Sequence, residues 1–221
     1  MDHPLDTRDI MRTHFNIFYI LLLIIVAHEL SARDFQFWSL AIAEMPLACD
    51  WKMETHIGAR FENDASRLYF YYGEILFIKE LPGKWEIVPG YRLPYRKQEN
   101  GDWMEDPTAL FAIIKKHQVF GLNCLHRSRS EYRMHSKQWV FRQRFQCDLP
   151  FKLPHSFKPY FYEEVYFQRN AGFKQNRFFI GVKKEIFDSG QISIGYLDRE
   201  VKSQRRWNGD DVLYLTARWK F

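Results

Sequence analysis

The sequence predicts an all-β fold: an antiparallel up-and-down transmembrane β-barrel of about 10 to 12 strands, following a cleaved signal peptide. Three observations point there. Segments with one apolar and one polar face succeed each other along nearly the whole chain after residue 33, and that alternation belongs to strands, whose side chains point to opposite sides in turn. Aromatic residues make up 18% of the composition, and Trp51, Trp85, Trp139, Trp207 and Trp219 fall at or near predicted strand ends, as in the girdles of membrane barrels. After residue 27 there is no long apolar run, which excludes a bundle of spanning helices.

The first element is residues 15–27, FNIFYILLLIIVA, with Asn16 as its one polar interruption. A spanning helix needs roughly 20 apolar residues, so this stretch reads as the core of a secretory signal, cut after Ala32 in Leu30-Ser31-Ala32. Leu30 is a poor fit three places before the cut. Asp2, Asp6 and Asp9 oppose Arg8 ahead of the apolar core, whereas a start at Met11 leaves Arg12 unopposed; Met11 is the expected true start. The domain reading is therefore 1–32 signal peptide and 33–221 barrel. Removal of the signal leaves 30 basic against 23 acidic residues, a net charge of +7.

Within the barrel, residues 51–61 set Trp51, Met53, Thr55, Ile57, Ala59 and Phe61 against Lys52, Glu54, His56, Gly58 and Arg60. Residues 85–96 and 138–147 alternate in the same way. Less regular segments are expected at 35–44, 67–79, 108–115, 119–133, 158–168, 174–185 and 191–201, with a last strand at 211–221. That makes eleven, yet bacterial single-chain barrels have an even number; either the segment at 35–44 is not an ordinary wall strand or 108–115 and 119–133 conceal a merged or split one, so ten or twelve strands are expected, with twelve preferred. The connections, followed back from Phe221, are expected to alternate between long (202–211, 97–107) and short (186–190, 115–118, 81–84), as external loops and periplasmic turns do. The three cysteines, Cys49, Cys124 and Cys147, lack metal-ligand spacing and allow at most one disulfide.

In the last strand Leu213, Leu215, Ala217, Trp219 and Phe221 share one face. A bulky apolar row ending on Phe resembles the C-terminal signal that the outer-membrane barrel assembly machinery reads, which makes that machinery and outer-membrane lipid the expected partners and the bacterial outer membrane the expected location. The order of DFQFW (34–38), NDASRLYFYYGEI (63–75), PGYRLPY (89–95), RSRSEYRM (127–134), WVFRQRF (139–145), KPYFYEE (158–164) and NRFFIGV (176–182) resembles an uncharacterised bacterial family of outer-membrane barrels, domain of unknown function 2490. The resemblance implies the fold and the location and supplies no catalytic residues. It departs locally at Glu163-Glu164, where the family more often has Asp-Glu.

A basic side chain facing lipid at mid-depth costs about 2 to 4 kcal/mol, so the alternating charges are expected inside. The lumen candidates are acidic Glu54, Glu74, Glu86, Glu131 and Glu164, and basic Arg60, Arg92, Arg96, Arg127, Arg129, Arg142, Arg144, Arg177, Lys183, Arg218 and Lys220, with His56 beside them. Glu163 is left facing outward by parity, at the interface or beside a bulge. Such a lumen is either packed with ion pairs or a small passive anion-preferring pore. Two other classes compete. An outer-membrane lipid hydrolase would use His126 with Ser128 or Ser130 on one strand face, but no residue to orient the imidazole is visible; a soluble periplasmic barrel would hold an apolar ligand. The reading is non-enzymatic, with no cofactor, no metal site and no nucleic-acid groove, because Gly181, Gly190 and Gly195 form no phosphate loop and the basic residues interleave with apolar ones.

Overall fold

The computed structural model describes residues 33–203 and 206–221. The expected signal peptide and the Met11 start lie outside the described residues. From Asp34 onward the chain is a single closed barrel. Its strands are β1 (Asp34–Pro46), β2 (Trp51–Glu62), β3 (Arg67–Leu81), β4 (Trp85–Lys97), β5 (Trp103–Glu105), β6 (Thr108–Val119), β7 (Leu122–Arg133), β8 (Gln138–Asp148), β9 (Lys158–Gln168), β10 (Gly172–Ile186), β11 (Gly190–Ser203) and β12 (Arg206–Lys220).

Eleven of these form the wall, in one-to-one correspondence with the eleven alternating segments. The twelfth, β5, is three residues long and pairs only with the end of β4. The expectation of an even wall is thus overturned, and 108–115 and 119–133 are two genuine strands, β6 and β7. Ten neighbouring pairs are antiparallel; the ring then closes where β1 lies parallel to β12, from Asp34 opposite Asp210 to Glu44 opposite Lys220. An odd ring demands this. Alternating strand directions bring the first and last strands to the seam pointing the same way, so the barrel is mixed rather than wholly antiparallel. Asp34 and Phe221 consequently lie at opposite ends, which we call the entry end and the exit end.

The connections also differ from expectation. β11 and β12 continue as a ladder until Ser203 faces Arg206, so most of 202–211 is strand rather than loop. The longest connections are 98–107 at the entry end, where β5 folds back on β4, and 149–157 at the exit end, which carries a single 3-10 turn at Pro154–Ser156. Neither end is therefore uniformly the one with short turns.

Side-chain parity runs through the wall. Ile57, Phe111, Phe141, Phe178, Ile180 and Ile194 project outward and are exposed, while Glu74, Glu131 and Glu164 are buried inside. Two apolar clusters share the interior with these charges. One joins Trp38, Tyr162, Phe179, Leu197 and Val212; the other joins Leu76, Ile78, Val88, Leu110 and Ala112. Gly181 and Gly195 face each other across β10 and β11, and a Cβ on either would meet the Phe179 ring at 2.5 or 2.4 Å. Their bare backbone is what lets that ring lie flat across the sheet and stack on Tyr162, with centroids 4.8 Å apart.

Candidate functional site: the ion-paired lumen

The alternation that builds the wall also brings like charges together inside it. In the β7/β8 ladder Arg127 pairs with Arg144 and Arg129 with Arg142, an arrangement that by itself is repulsive. Carboxylates from other strands offset it. Glu164 on β9, wholly buried, lies 2.6 Å from Arg127, 2.8 Å from Arg142, 3.1 Å from Arg144 and 3.5 Å from Arg177, and accepts a hydrogen bond from the Tyr166 hydroxyl at 2.7 Å. Glu131 on β7 takes Arg142 Nη1 at 2.7 Å and Arg129 Nε at 2.8 Å. The second of these is close ion pairing without hydrogen-bond geometry, since Arg129 Nε has no acceptor in line. Glu74 on β3 receives Arg92 Nε at 2.6 Å and Arg129 Nη2 at 2.7 Å.

The chain of pairs continues toward the seam. His56 lies 3.3 Å from Glu74 and 2.8 Å from Glu54, and Arg218 of β12 bridges Glu54 at 2.5 Å and Glu44 at 2.9 Å. One network therefore runs from β1 and β12 through β2, β3, β4, β7 and β8 to β9 and β10. Burying a charge is tolerable only where it is paired and hydrogen-bonded, and within this network Glu54, Glu74, Glu131 and Glu164 each have at least two basic neighbours.

All the predicted lumen residues lie on the interior face, but not in one constellation. Glu86 pairs with Lys116 and Lys183 Nζ with Asp148 at 2.7 Å, both toward the exit end. Arg60 lies over the rings of Trp38 and Phe70, at 3.9 and 4.5 Å. Arg96 is exposed at the entry mouth, 5.7 Å from the Phe70 ring. The network divides the interior into two cavities: about 500 Å3 on the exit side and about 260 Å3 on the entry side, with Arg60, Arg92, Arg142 and Arg177 bordering both. The outward row of β12 is also in place, with Leu213, Leu215, Trp219 and Phe221 exposed and Ala217 half-buried.

Glu163 projects outward in register with Phe145 and Phe178. It lies at the middle of β9 and no bulge is present there; the register slip in this ladder is at Phe173 and Gln175. Both sequence explanations for Glu163, a rim position or a bulge, are thereby corrected.

His126 and Ser128 also share the outer face, and both turn to one acceptor. Gln143 Oε1 lies 3.1 Å from His126 Nε2 and takes the Ser128 hydroxyl at 2.7 Å. Gln143 is a partner of the imidazole that the sequence did not reveal, but it accepts the Ser128 hydroxyl hydrogen bond that a catalytic imidazole would have to receive. Cys124 and Cys147, directly opposed on β7 and β8, form a disulfide, and Cys49 is free and exposed.

Sequence reasoning missed the aromatic share of the interior. Trp38, Tyr162 and Tyr166 are buried beside the arginines, with Arg177 4.9 Å from the Trp38 ring and 4.5 Å from the Tyr166 ring, and Arg144 4.1 Å from that of Tyr162. Tyr162, Glu164 and Tyr166 occupy alternate places in β9, so their common parity with Glu164 was the available signal.

A family model described as "Protein of unknown function (DUF2490)" matches residues 35–210, from β1 into the start of β12. No curated protein matches the chain.

Proposed function

The chain belongs to the DUF2490 family, and from that premise we propose that it is a non-enzymatic outer-membrane β-barrel, a wall protein whose lumen is closed at mid-height. One observation carries the reading: the polarity of the barrel is inside out. Ile57 is 67% exposed and Phe111 46%, while Glu164 is wholly buried. A water-soluble monomer rarely exposes so much apolar surface, whereas a membrane barrel needs it facing lipid; the outer face is interrupted by His126, Ser128, Gln143 and Glu163 on β7 to β9.

Other features agree. Trp103, Trp139 and Trp207 gather near the entry end and Trp51, Trp85 and Trp219 near the exit end, a placement that suits the two interfacial girdles expected of a membrane barrel. A cross-strand disulfide suits an oxidising compartment such as the periplasm. Outer-membrane lipid and the barrel assembly machinery are the partners this reading requires, the latter meeting the outward row of β12. The odd strand number departs from bacterial precedent, although odd-numbered membrane barrels exist elsewhere. The ion-pair layer favours a closed wall over a small anion-preferring pore, and the engagement of Ser128 with Gln143 disfavours a lipid hydrolase.

The test is reconstitution of the chain into vesicles carrying brominated acyl chains. Strong quenching of tryptophan fluorescence, together with heat-modifiable electrophoretic mobility, is the expected result. A chain that stays monodisperse in buffer without detergent, its tryptophans unquenched by those vesicles, would overturn the membrane reading. In planar bilayers the closed lumen should be silent; anion-selective steps would replace the closed wall by the pore.

A further inference from the structure

The two cavities of the lumen differ in how their cations are neutralised. The entry-side cavity of about 260 Å3 is bordered by seven arginines and by the carboxylates of Asp106 and Glu131; Arg92, Arg142, Arg177 and Arg199 are already paired, with Glu74, with Glu131 and Glu164, with Glu164 and with Asp210 respectively. Glu131 is already engaged by Arg142 and Arg129, and Asp106 is taken by the backbone amides of His135 and Ser136 and the Ser136 hydroxyl. Arg60, Arg96 and Arg133 meet no carboxylate within ion-pair distance among the described residues, yet Arg96 feels the charges of Arg60, Arg133 and Arg199 together. Like charges gathered in a cavity without counter-charge are costly unless an anion completes them.

The geometry goes further than an excess of charge. Arg60 lies against Trp38 and Phe70 and has no ion pair among the described residues. Aromatic contact of this kind holds a guanidinium in place without consuming its N–H donors as a carboxylate would, and those donors match an oxyanion. The buried Nε of Arg199, which borders the same cavity, is a donor with no acceptor. We infer that the entry-side cavity is a binding site for a phosphate group, carried by a small solute or by a lipid headgroup. Phosphate fits better than chloride because several guanidinium groups can each donate to a separate oxygen in charge-assisted bonds. The site deepens the proposed barrel by giving its closed lumen a ligand, but it requires only the folded barrel and no membrane.

The test is calorimetric titration of the folded full chain in detergent micelles, with inorganic pyrophosphate as the free probe and dihexanoyl phosphatidic acid as the lipid probe. Binding that weakens with salt, and that falls about tenfold or more in Arg96→Gln/Arg133→Gln, is expected. Lys116→Gln, on the exit side, should bind as the parent does. Pyrophosphate competing with the lipid identifies a free phosphate as sufficient; tighter binding of the lipid probe identifies the headgroup as the source. Arg96 is exposed and Arg133 has no acidic partner, so the double variant should fold, and heat-modifiable mobility checks that it does. Binding unchanged in the double variant, or no heat from either probe with folded parent protein, would overturn the inference. Because both outcomes are read on folded protein in micelles, neither depends on whether the barrel enters vesicles.

Discussion

The two halves of the lumen are built from the same residue types and reach opposite electrostatic ends. On the exit side Arg218 has Glu44 and Glu54, Lys116 has Glu86, and Lys183 has Asp148. On the entry side Arg60, Arg96 and Arg133 rest on rings or on nothing acidic. The layer between, centred on Glu164, is the most heavily bonded part of the molecule. Net charge therefore says little about a lumen; what matters is whether each cation has found its carboxylate. An ion-paired half behaves as packing and resists change, whereas a half with surplus cations is poised to accept an anion.

Four substitutions probe that contrast, each read as urea or heat unfolding of the folded chain in micelles. Glu164→Gln should be the most damaging, because it removes a wholly buried carboxylate shared by four arginines and leaves Arg127, Arg144 and Arg177 without one; a loss of about 3 to 5 kcal/mol is expected, as for broken buried pairs elsewhere. A loss below about 1 kcal/mol would mean that water reaches the layer and that the lumen is not closed. Glu54→Gln removes a charge shared by only Arg218 and His56, the former already held by Glu44, so a smaller loss of about 1 to 3 kcal/mol is expected. Arg96→Gln should go the other way, leaving stability unchanged or raising it by under about 1 kcal/mol, since it removes repulsion and breaks no ion pair. A clear destabilisation there would show that Arg96 has a structural partner and would remove the asymmetry between the halves. Lys52→Ala severs an exposed pair with Glu80, at 2.6 Å, and should cost no more than about 1 kcal/mol and still less at high salt.

Much of this architecture was legible in the chain. Alternation alone located all eleven wall strands and put Arg127, Arg129, Glu131, Arg142, Arg144 and Glu164 on the inner face, because period-two parity is a local property. Closure was not legible, since nothing within DFQFW or VLYLTARWK says which strand lies beside it. The even-number rule displaced a correct count for that reason. The pairing of charges was equally hidden: Arg129 meets Glu74 from a strand 55 positions away in sequence, a contact set by barrel circumference and tilt. The disulfide was open for the same cause, because it depends on the β7/β8 register that opposes Cys124 to Cys147.

The parallel seam has a consequence for how the molecule comes together. Each of the other wall contacts joins strands that follow one another, with only β5 stepped over, so the sheet can zip up one hairpin at a time. The seam alone unites Asp34 with Asp210, 176 positions apart, and so concentrates the entropic cost of ring formation in a single late event. Until that event β1 and β12 both present bare hydrogen-bonding edges, open to capture by another chain. If the ring ever parts again, that joint is where it can do so without undoing a hairpin.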